Sequence, residues 1–325
     1  MSRRVLRNNT TLGITDELIP LDNHSIQGAV KKIAKLCNQQ LSEERLEQMG
    51  VHIFEELSKM KVALVVVDFQ NDFISGSLSV QEGTAHEDPL KAIPLLNSLI
   101  SEKRLDLTVY TLDWHPANHI SFLTSASDSD RKFKHKYRAR KLEAFDVVTF
   151  KQPNTQQVLY PSHCVQNSWG AELHADLEIP DGAKFIKKGT QTSVDSYSAL
   201  SDNNGSKLLE LEELLKSNGI SAVLVCGLAF DICVRHTVID ANNLGFLSGV
   251  VRDCSAAFSA EHAADTIKQL QSEDIAIVDS LMAKRIIRRE AVPTEWICQL
   301  MDHLDSRTLE KENDVGRDAE VCDSL

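Results

Sequence analysis

The hydrophobic positions of the first 60 residues follow a helical spacing. Apolar side chains recur every three or four residues at Ile26, Val30, Ile33, Ala34, Cys37, Leu41, Leu46, Met49, Ile53, Phe54 and Leu57. This spacing predicts two or three helices, which we interpret as a helical extension over residues 1–60 that packs on the main body or on a partner. The region lacks the D-x-[DN]-x-[DN]-G pattern of a calcium loop, so it does not support calcium binding.

From residue 61 the pattern changes to short runs rich in Val, Ile and Leu, as in strands that are covered on both faces. The predicted strands are Val62–Val67, Leu105–Leu112, Ala183–Lys187, Ala222–Gly227, Ser248–Arg252 and Ile275–Asp279. The predicted helices between them are Pro89–Glu102, Leu208–Ser217, Ile232–Leu244 and Ala260–Gln271. Because strands and helices alternate, the pattern predicts an α/β fold with a three-layer, doubly wound, mostly parallel sheet and an N-terminal helical extension.

Two polar regions interrupt or follow this pattern. The stretch 123–157 contains the dense basic run RKFKHKYRARK at 131–141, which we interpret as a solvated insertion loop, with contact to an acidic partner as the alternative. Residues 305–325 are charged and low in apolar content, as in a frayed tail. We therefore divide the chain into a helical extension (1–60), a main α/β domain (61–290), and a C-terminal helix with a flexible tail (291–325).

The charge and the cysteines exclude several classes of protein. Thirty-five Lys and Arg against 47 Asp and Glu give a net charge of −12, which argues against nucleic-acid binding by bulk charge. No apolar run approaches the ~20 residues of a membrane span, and the basic N-terminus lacks the apolar stretch of a secretory signal. The seven scattered cysteines include no CxxC pair, which favours a reducing compartment. We expect a cytoplasmic protein, with access to the nucleus left open.

Acidic and imidazole side chains follow two predicted strands. Asp68 ends the first strand, where partial desolvation would raise the pKa of its carboxyl and suit it to proton transfer. Asp113 and His115 follow the second strand, with His119 in the same loop, and His163 comes later in YPSHCV. Carboxylate and imidazole together suit a divalent transition metal. A structural role for each histidine alone is the alternative.

A thiol and an ammonium group complete the candidate chemistry. In AVLVCGLAFDICVRHT, a strand runs through a turn into a helix, so Cys233 lies in the first helical turn. Unpaired backbone N–H groups and the helix dipole favour a thiolate there, and the same groups could hold an oxyanion. Lys188 ends another strand, where a lysine beside a cysteine and an aspartate would lower the pKa of the thiol.

Five segments in this order resemble the cysteine hydrolases of the isochorismatase-like fold, and among them the nicotinamidases. The segments are VVDFQNDF, DWHPANHISF, YPSHCV, IKKGT with DSYSAL, and GLAFDICVRHT, and the resemblance covers about residues 61–280. It implies a catalytic triad of Asp68, Lys188 and Cys233. It also implies a cis peptide bond at Leu228–Ala229, with the N–H groups of Ala229 and Cys233 forming the oxyanion hole.

The resemblance also implies a metal site and a substrate pocket. Asp113, His115 and His163 would hold one divalent ion, zinc first, with iron or manganese as alternatives. His119 matches a position that is a ligand in only some members. The residues that match an aromatic substrate pocket are Phe73, Tyr160 and Tyr197.

The activity that this resemblance implies is hydrolysis of nicotinamide to nicotinate and ammonia through a cysteine thioester, in NAD salvage. Asp68 would move the protons, and the metal would orient the ring. The implied partner is the small-molecule substrate, without nucleic acid or membrane, and a homo-oligomer is left open. Two alternatives remain, namely a hydrolase of the same fold acting on another small amide, and a non-catalytic scaffold.

Overall fold

The computed structural model describes residues 18–134 and 141–304. Its strands are β1 (Leu18–Pro20), β2 (Val62–Val67), β3 (Leu107–Asp113), β4 (Lys132–Phe133), β5 (Val147–Gln152), β6 (Thr155–Val158), β7 (Lys184–Lys188), β8 (Ala222–Leu228), β9 (Leu247–Ala256), β10 (Ala276–Val278) and β11 (Ala291–Pro293). Its α-helices are α1 (Asn23–Leu36), α2 (Glu43–Ser58), α3 (Asn71–Ile74), α4 (Ile93–Ile100), α5 (Leu209–Ser217), α6 (Arg235–Asn243), α7 (Ala260–Ser272) and α8 (Ser280–Ile287), followed by helical residues 294–304.

A six-stranded parallel sheet forms the centre of the molecule, in the order β10-β9-β8-β2-β3-β7. Every residue of β2 is buried, and its side chains alternate between two hydrophobic cores, one on each face of the sheet. Helices on both faces complete three layers, so the predicted α/β doubly wound fold is confirmed. The chain leaves β2 toward β3 and β7 and then returns to β8 on the other side, a reversal that opens a crevice at the carboxyl ends of the strands.

The predicted N-terminal helices are present as α1 and α2. The side chains of Asp22 and Ser42 cap them by accepting hydrogen bonds from backbone N–H groups. Their apolar faces, including Ile26 and Ile53, are buried in the same hydrophobic core as one face of the central sheet. The division of the chain at residue 60 stays a prediction, but these helices share a core with the residues that follow them.

Strand pairing connects the C-terminal part of the described chain to its N-terminal part. Strand β11 pairs antiparallel with β1, and Trp296 in the helical residues 294–304 is fully buried and donates a hydrogen bond to the Ser248 carbonyl at 2.9 Å. The predicted tail at 305–325 lies outside the described residues. Within 18–134 and 141–304, no helix has the length and apolar content needed to cross a membrane.

The insertion between β3 and β7 differs from the solvated loop that its polarity predicts. It contains a three-stranded antiparallel sheet of β4, β5 and β6 with a small core around Val148 and Phe150. Arg131, the first residue of the basic run, points inward with only 6% of its surface exposed. Its guanidinium donates hydrogen bonds to the carbonyls of Asn118, His119, Ser125 and Thr192. Residues 135–140 of the run lie outside the described residues.

Candidate active site

Four strands of the sheet bring the candidate residues to one crevice. Asp68 follows β2, Asp113 ends β3, Lys188 ends β7, and Cys233 follows β8 by five residues. All four side chains are buried. Since parallel strands place their carboxyl ends at the same edge, residues that are far apart in the sequence become neighbours there.

Asp68 is held in place by the neighbouring strand. Its backbone adopts a left-handed conformation with φ of 48°, and the Thr111 hydroxyl donates to Oδ1 at 2.6 Å. Oδ2 lies 2.7 Å from Lys188 Nζ but accepts no well-aligned hydrogen bond among the described residues. A carboxylate oxygen of Asp68 also lies within 4.8 Å of the Cys233 sulfur.

Lys188 is the cation at the centre of the cluster. Its Nζ donates to Asp113 Oδ1 at 2.6 Å, to the Ser196 carbonyl at 3.0 Å and to Cys233 Sγ at 3.4 Å. The carboxylate of Asp68, with Oδ2 at 2.7 Å, is a fourth neighbour of the ammonium group and forms an ion pair with it. Burial opposes the charged form, but Asp113 and Asp68 outweigh it and hold the pKa of Lys188 well above its usual value. Lys188 is therefore a permanent positive charge.

Cys233 lies at the start of the helix that follows β8. The Leu228–Ala229 peptide bond is cis, as the resemblance implied, and a π-helical segment (Phe230–Val234) precedes α6. Burial raises the pKa of the Cys233 thiol well above its usual value, and Lys188 offsets this only in part. The thiolate that the helix start favours is therefore not the resting form in this structure. A nucleophilic role for this sulfur would therefore need a neighbouring base.

Asp68 has the properties of that base. Burial raises the pKa of its carboxyl to about 6, against the opposing effect of the nearby Lys188 ammonium. A carboxyl with this pKa is ionised near neutral pH and still takes up a proton readily. Desolvation thus raises the pKa of Asp68, as the sequence led us to expect.

Asp113, His115 and His163 form a compact set of possible metal ligands, with one donor atom from each within 4.8 Å of the others. The Nδ1 of His115 is 2.9 Å from the Gly189 carbonyl, and the Nδ1 of His163 is 2.8 Å from the Pro161 carbonyl. Since a carbonyl only accepts, each Nδ1 carries a proton, and Nε2 is the nitrogen that is left to bind a metal. Both Nε2 atoms face Asp113 Oδ2, at 3.3 and 3.9 Å, so the set fits a divalent cation.

The charges around this set also suit a cation. Burial alone would raise the pKa of Asp113, but Lys188 and His115 outweigh it and hold that pKa well below its usual range. Burial, together with the nearby His115, lowers the pKa of His163 to about 4. At neutral pH the carboxylate is therefore ionised and the His163 imidazole is neutral. Burial would lower the pKa of His115, but Asp113 outweighs it and raises that pKa, so a bound cation would have to displace a proton from this ring.

His119 does not join this set through a free nitrogen. Its Nδ1 is 2.7 Å from the Ser121 hydroxyl and its Nε2 is 3.2 Å from the Val194 carbonyl. The ring stacks on His115 with centroids 4.0 Å apart. In this arrangement His119 supports the orientation of His115 rather than presenting a lone pair of its own.

Aromatic rings surround the imidazole of His163. The rings of Phe73 and Tyr160 lie 5.5 Å and 5.7 Å from it, between ring centroids. The hydroxyl of Tyr160 is 3.2 Å from that of Tyr197. Phe73 and Tyr160 therefore lie beside the possible metal ligands, with Tyr197 next to Tyr160, and Phe122 adds a further ring at 5.4 Å from His163.

Three further residues shape the site and were not identified from the sequence. Gln70 binds both the N–H and the carbonyl of Asp113, and Thr111 binds Asp68. Gly189 has φ of 61°, and a Cβ there would lie 2.4 Å from the His115 ring. Gln70 and Gly189 belong to the quoted segments VVDFQNDF and IKKGT. A polar residue or a glycine after a strand is also typical of an ordinary turn, so their residue types alone do not identify them as part of the site.

Comparison with known proteins identifies the family of this chain. The model of the isochorismatase domain matches residues 62–280. A nicotinamidase of Acinetobacter baylyi is 37% identical over 224 residues, covering 66% of this chain and 94% of that protein. The PnC1 protein of L. infantum, solved in complex with nicotinate, superposes with a TM-score of 0.55 at 30% identity, covering 68% of this chain and 94% of its own.

A third relative carries a metal. The pyrazinamidase of Pyrococcus horikoshii, solved in complex with zinc, has a TM-score of 0.51 at 31% identity, covering 67% of this chain and 99% of its own. The matched family domain spans β2 to the start of α8 and so includes all four strands that carry the site. The chain therefore belongs to the isochorismatase family, as a hydrolase related to the nicotinamidases.

Proposed function

We propose that this protein hydrolyses nicotinamide to nicotinate and ammonia through a thioester on Cys233, as a step of NAD salvage, and that residues 61–290 form its catalytic domain. The observation that carries the proposal is the contact of Lys188 with Asp68 and Cys233 beside the possible metal ligands. The nicotinamidase of A. baylyi and the nicotinate bound to the L. infantum protein support the choice of substrate.

The first half of the reaction uses a neutral thiol and an ionised carboxylate. Asp68 takes the proton from Cys233, and the sulfur attacks the carbonyl carbon of the amide while Lys188 balances the negative charge. The carbonyl oxygen becomes an oxyanion that the N–H groups of Ala229 and Cys233 stabilise. When the tetrahedral intermediate collapses, the C–N bond breaks, Asp68 returns its proton to the nitrogen, and ammonia leaves.

The second half of the reaction regenerates the thiol. Asp68, ionised again, takes a proton from a water molecule that attacks the carbonyl carbon of the thioester. The C–S bond then breaks, the proton returns to Cys233, and nicotinate is released. Phe73, Tyr160 and Tyr197 enclose the ring of the substrate and exclude bulk water.

A divalent ion would be held by Asp113, His115 and His163, with water in its remaining positions. When bound, it supplies a positive site that fixes the ring nitrogen and so orients the amide toward Cys233. We propose zinc, which is present in the P. horikoshii relative, and the same ligands accept iron or manganese.

The test of this function is an ammonia-release assay on nicotinamide, with the metal content of the same purified protein measured alongside. We expect turnover with about one metal ion per chain, loss of turnover after chelation, and recovery when zinc is returned. Benzamide, which lacks the ring nitrogen, serves as a matched amide and should react poorly. Absence of ammonia from nicotinamide, with release from another amide in a substrate panel, would contradict the choice of substrate.

The pKa of Asp68 predicts the acid limb of the pH profile. The carboxyl must be ionised to accept the thiol proton, so kcat/KM should be halved near pH 6 and fall about tenfold per pH unit below it. Burial keeps the pKa of His163 near 4, so that imidazole stays neutral through this range. Bound metal measured at the same pH values is the control, and a profile that is flat down to pH 5 with metal retained would contradict the role of Asp68.

A further inference from the structure

Phe145 is an unusual residue at the edge of the insertion between β3 and β7. It lies in the turn before β5, with 46% of its surface exposed and a left-handed φ of 70°. Its backbone N–H donates to the Leu159 carbonyl at 2.6 Å, which holds the turn. A bulky aromatic residue rarely adopts this conformation, and such conformations cluster where function requires a particular placement of the side chain.

One side of the Phe145 ring contacts a tyrosine that lies next to the possible metal ligands. The ring meets Tyr160 edge-to-face, with centroids 6.0 Å apart and an interplanar angle of 82°. Tyr160 in turn packs on the imidazole of His163 at 5.7 Å. Phe145 is therefore the outermost ring of a series that leads inward to the ligand set.

The other side of the ring contacts a residue fixed to the nucleophile segment. Phe258 lies 5.4 Å from Phe145 between ring centroids. Its backbone N–H donates to Asp231, two residues before Cys233, at 2.8 Å, and its carbonyl accepts from Ala85 at 3.1 Å. A Cβ at Gly83 would lie 2.0 Å from the Phe258 carbonyl oxygen, so the backbone at Phe258 is tightly confined.

From these contacts we propose that Phe145 closes the opening of the pocket and determines the size of the ring that the enzyme accepts. The ring contacts Tyr160 on the metal-ligand side and Phe258 on the nucleophile side, and 46% of the surface of Phe145 remains exposed. The proposal rests on the proposed function. We expect the preferred substrates to be pyridine carboxamides without ring substituents, and we expect an added methyl group to prevent binding.

The test compares Phe145→Ala with Phe185→Ala in the full-length, metal-loaded enzyme. Phe185 is a matched control, because it is also 46% exposed and stacks on one tyrosine, Tyr110, at 5.6 Å, but it lies on the edge strand β7. The substrates are nicotinamide and its four ring-methylated forms. Phe145→Ala should raise KM for nicotinamide about fivefold with kcat within twofold, and raise the relative kcat/KM for at least one methylated form about tenfold.

The outcomes separate this inference from the function on which it rests. If wild-type enzyme hydrolyses nicotinamide and Phe145→Ala changes neither KM nor the selectivity ratio, Phe145 is an ordinary surface ring and the inference is wrong. The same follows if Phe185→Ala shifts the ratio equally. If wild-type enzyme releases no ammonia from nicotinamide, the proposed function fails and this inference fails with it. Should Phe145→Ala fold poorly, Phe145→Leu keeps an apolar contact and should shift the ratio in the same direction.

Discussion

Replacing Cys233 by alanine should lower kcat for nicotinamide hydrolysis by about 10⁴-fold or more, because it removes the thiol that is acylated in the proposed reaction. The Cys233 sulfur is 3.4 Å from Lys188 Nζ and within 4.8 Å of a carboxylate oxygen of Asp68. Alanine removes the atom that is acylated but leaves the cation, the base and the metal ligands in place. Binding of nicotinate and of zinc should therefore persist, and the loss should fall on kcat.

The matched control is Cys226→Ala, in the strand that leads to the same turn. Cys226 is also fully buried, but its sulfur contacts the Val65 carbonyl at 3.8 Å rather than a charged group. That variant should lose some stability and keep its kcat. Ammonia release, together with mass analysis of wild-type enzyme quenched during turnover, checks both statements. More than about 1% of wild-type kcat in Cys233→Ala would exclude the thioester route.

The fold could be predicted because its strands are continuous apolar runs. The prediction for Val62–Val67 coincides with β2, and the helix predicted over Leu208–Ser217 starts one residue later in the structure. Strand β9 runs four residues beyond its predicted end at Arg252, because Arg252 and Asp253 are polar but paired, with Glu87 and Ser280. A polar residue in a sequence predicts an exposed position. In the folded chain, a hydrogen-bond or ion-pair partner allows the same residue to lie within a strand.

The inward turn of Arg131 has the same cause. A basic run predicts a solvated surface, and nothing local in the sequence shows that four carbonyls converge on one guanidinium. The chemistry-bearing residues were easier to predict, since Asp68, Asp113 and Lys188 each end a buried strand and the carboxyl ends of parallel strands meet. The protonation state of the Cys233 thiol could not be predicted from these positions, because its pKa depends on its burial in the folded chain.

Replacing Lys188 by methionine should lower the free energy of unfolding by about 3–5 kcal/mol, because it leaves two buried carboxylates without their cation. Asp68 and Asp113 lie 2.7 Å and 2.6 Å from Lys188 Nζ, and all three side chains are almost wholly inaccessible to solvent. For a domain of this size the loss corresponds to a fall in Tm of roughly 6–20 °C. Activity should be lost as well, since the thiolate loses its counter-charge.

The adjacent residue provides the control. Lys187 is exposed, and its ammonium lies over the Trp114 ring at 3.7 Å. Lys187→Met is the same substitution one position earlier and removes the same charge. It should nevertheless lower the free energy of unfolding by less than about 1 kcal/mol. If the two variants unfold at the same temperature, the stabilising role assigned to Lys188 is wrong.

The pH dependence of the two variants distinguishes a lost ion pair from a simple packing defect. In wild type, Lys188 holds the pKa of Asp113 below its usual range, so that carboxylate stabilises the fold equally at pH 8 and pH 5 and loses this contribution only below the pKa of an unfolded aspartate, about 4. Without the Lys188 cation, burial raises the pKa of the Asp68 and Asp113 carboxyls. As the pH falls, protonation neutralises these buried charges and so reduces the destabilisation of the variant. The stability difference between wild type and Lys188→Met should therefore shrink from pH 8 to pH 5 at fixed zinc concentration, while the difference for Lys187→Met stays constant. Denaturant unfolding at each pH measures this, and a constant difference for Lys188→Met would assign its defect to packing alone.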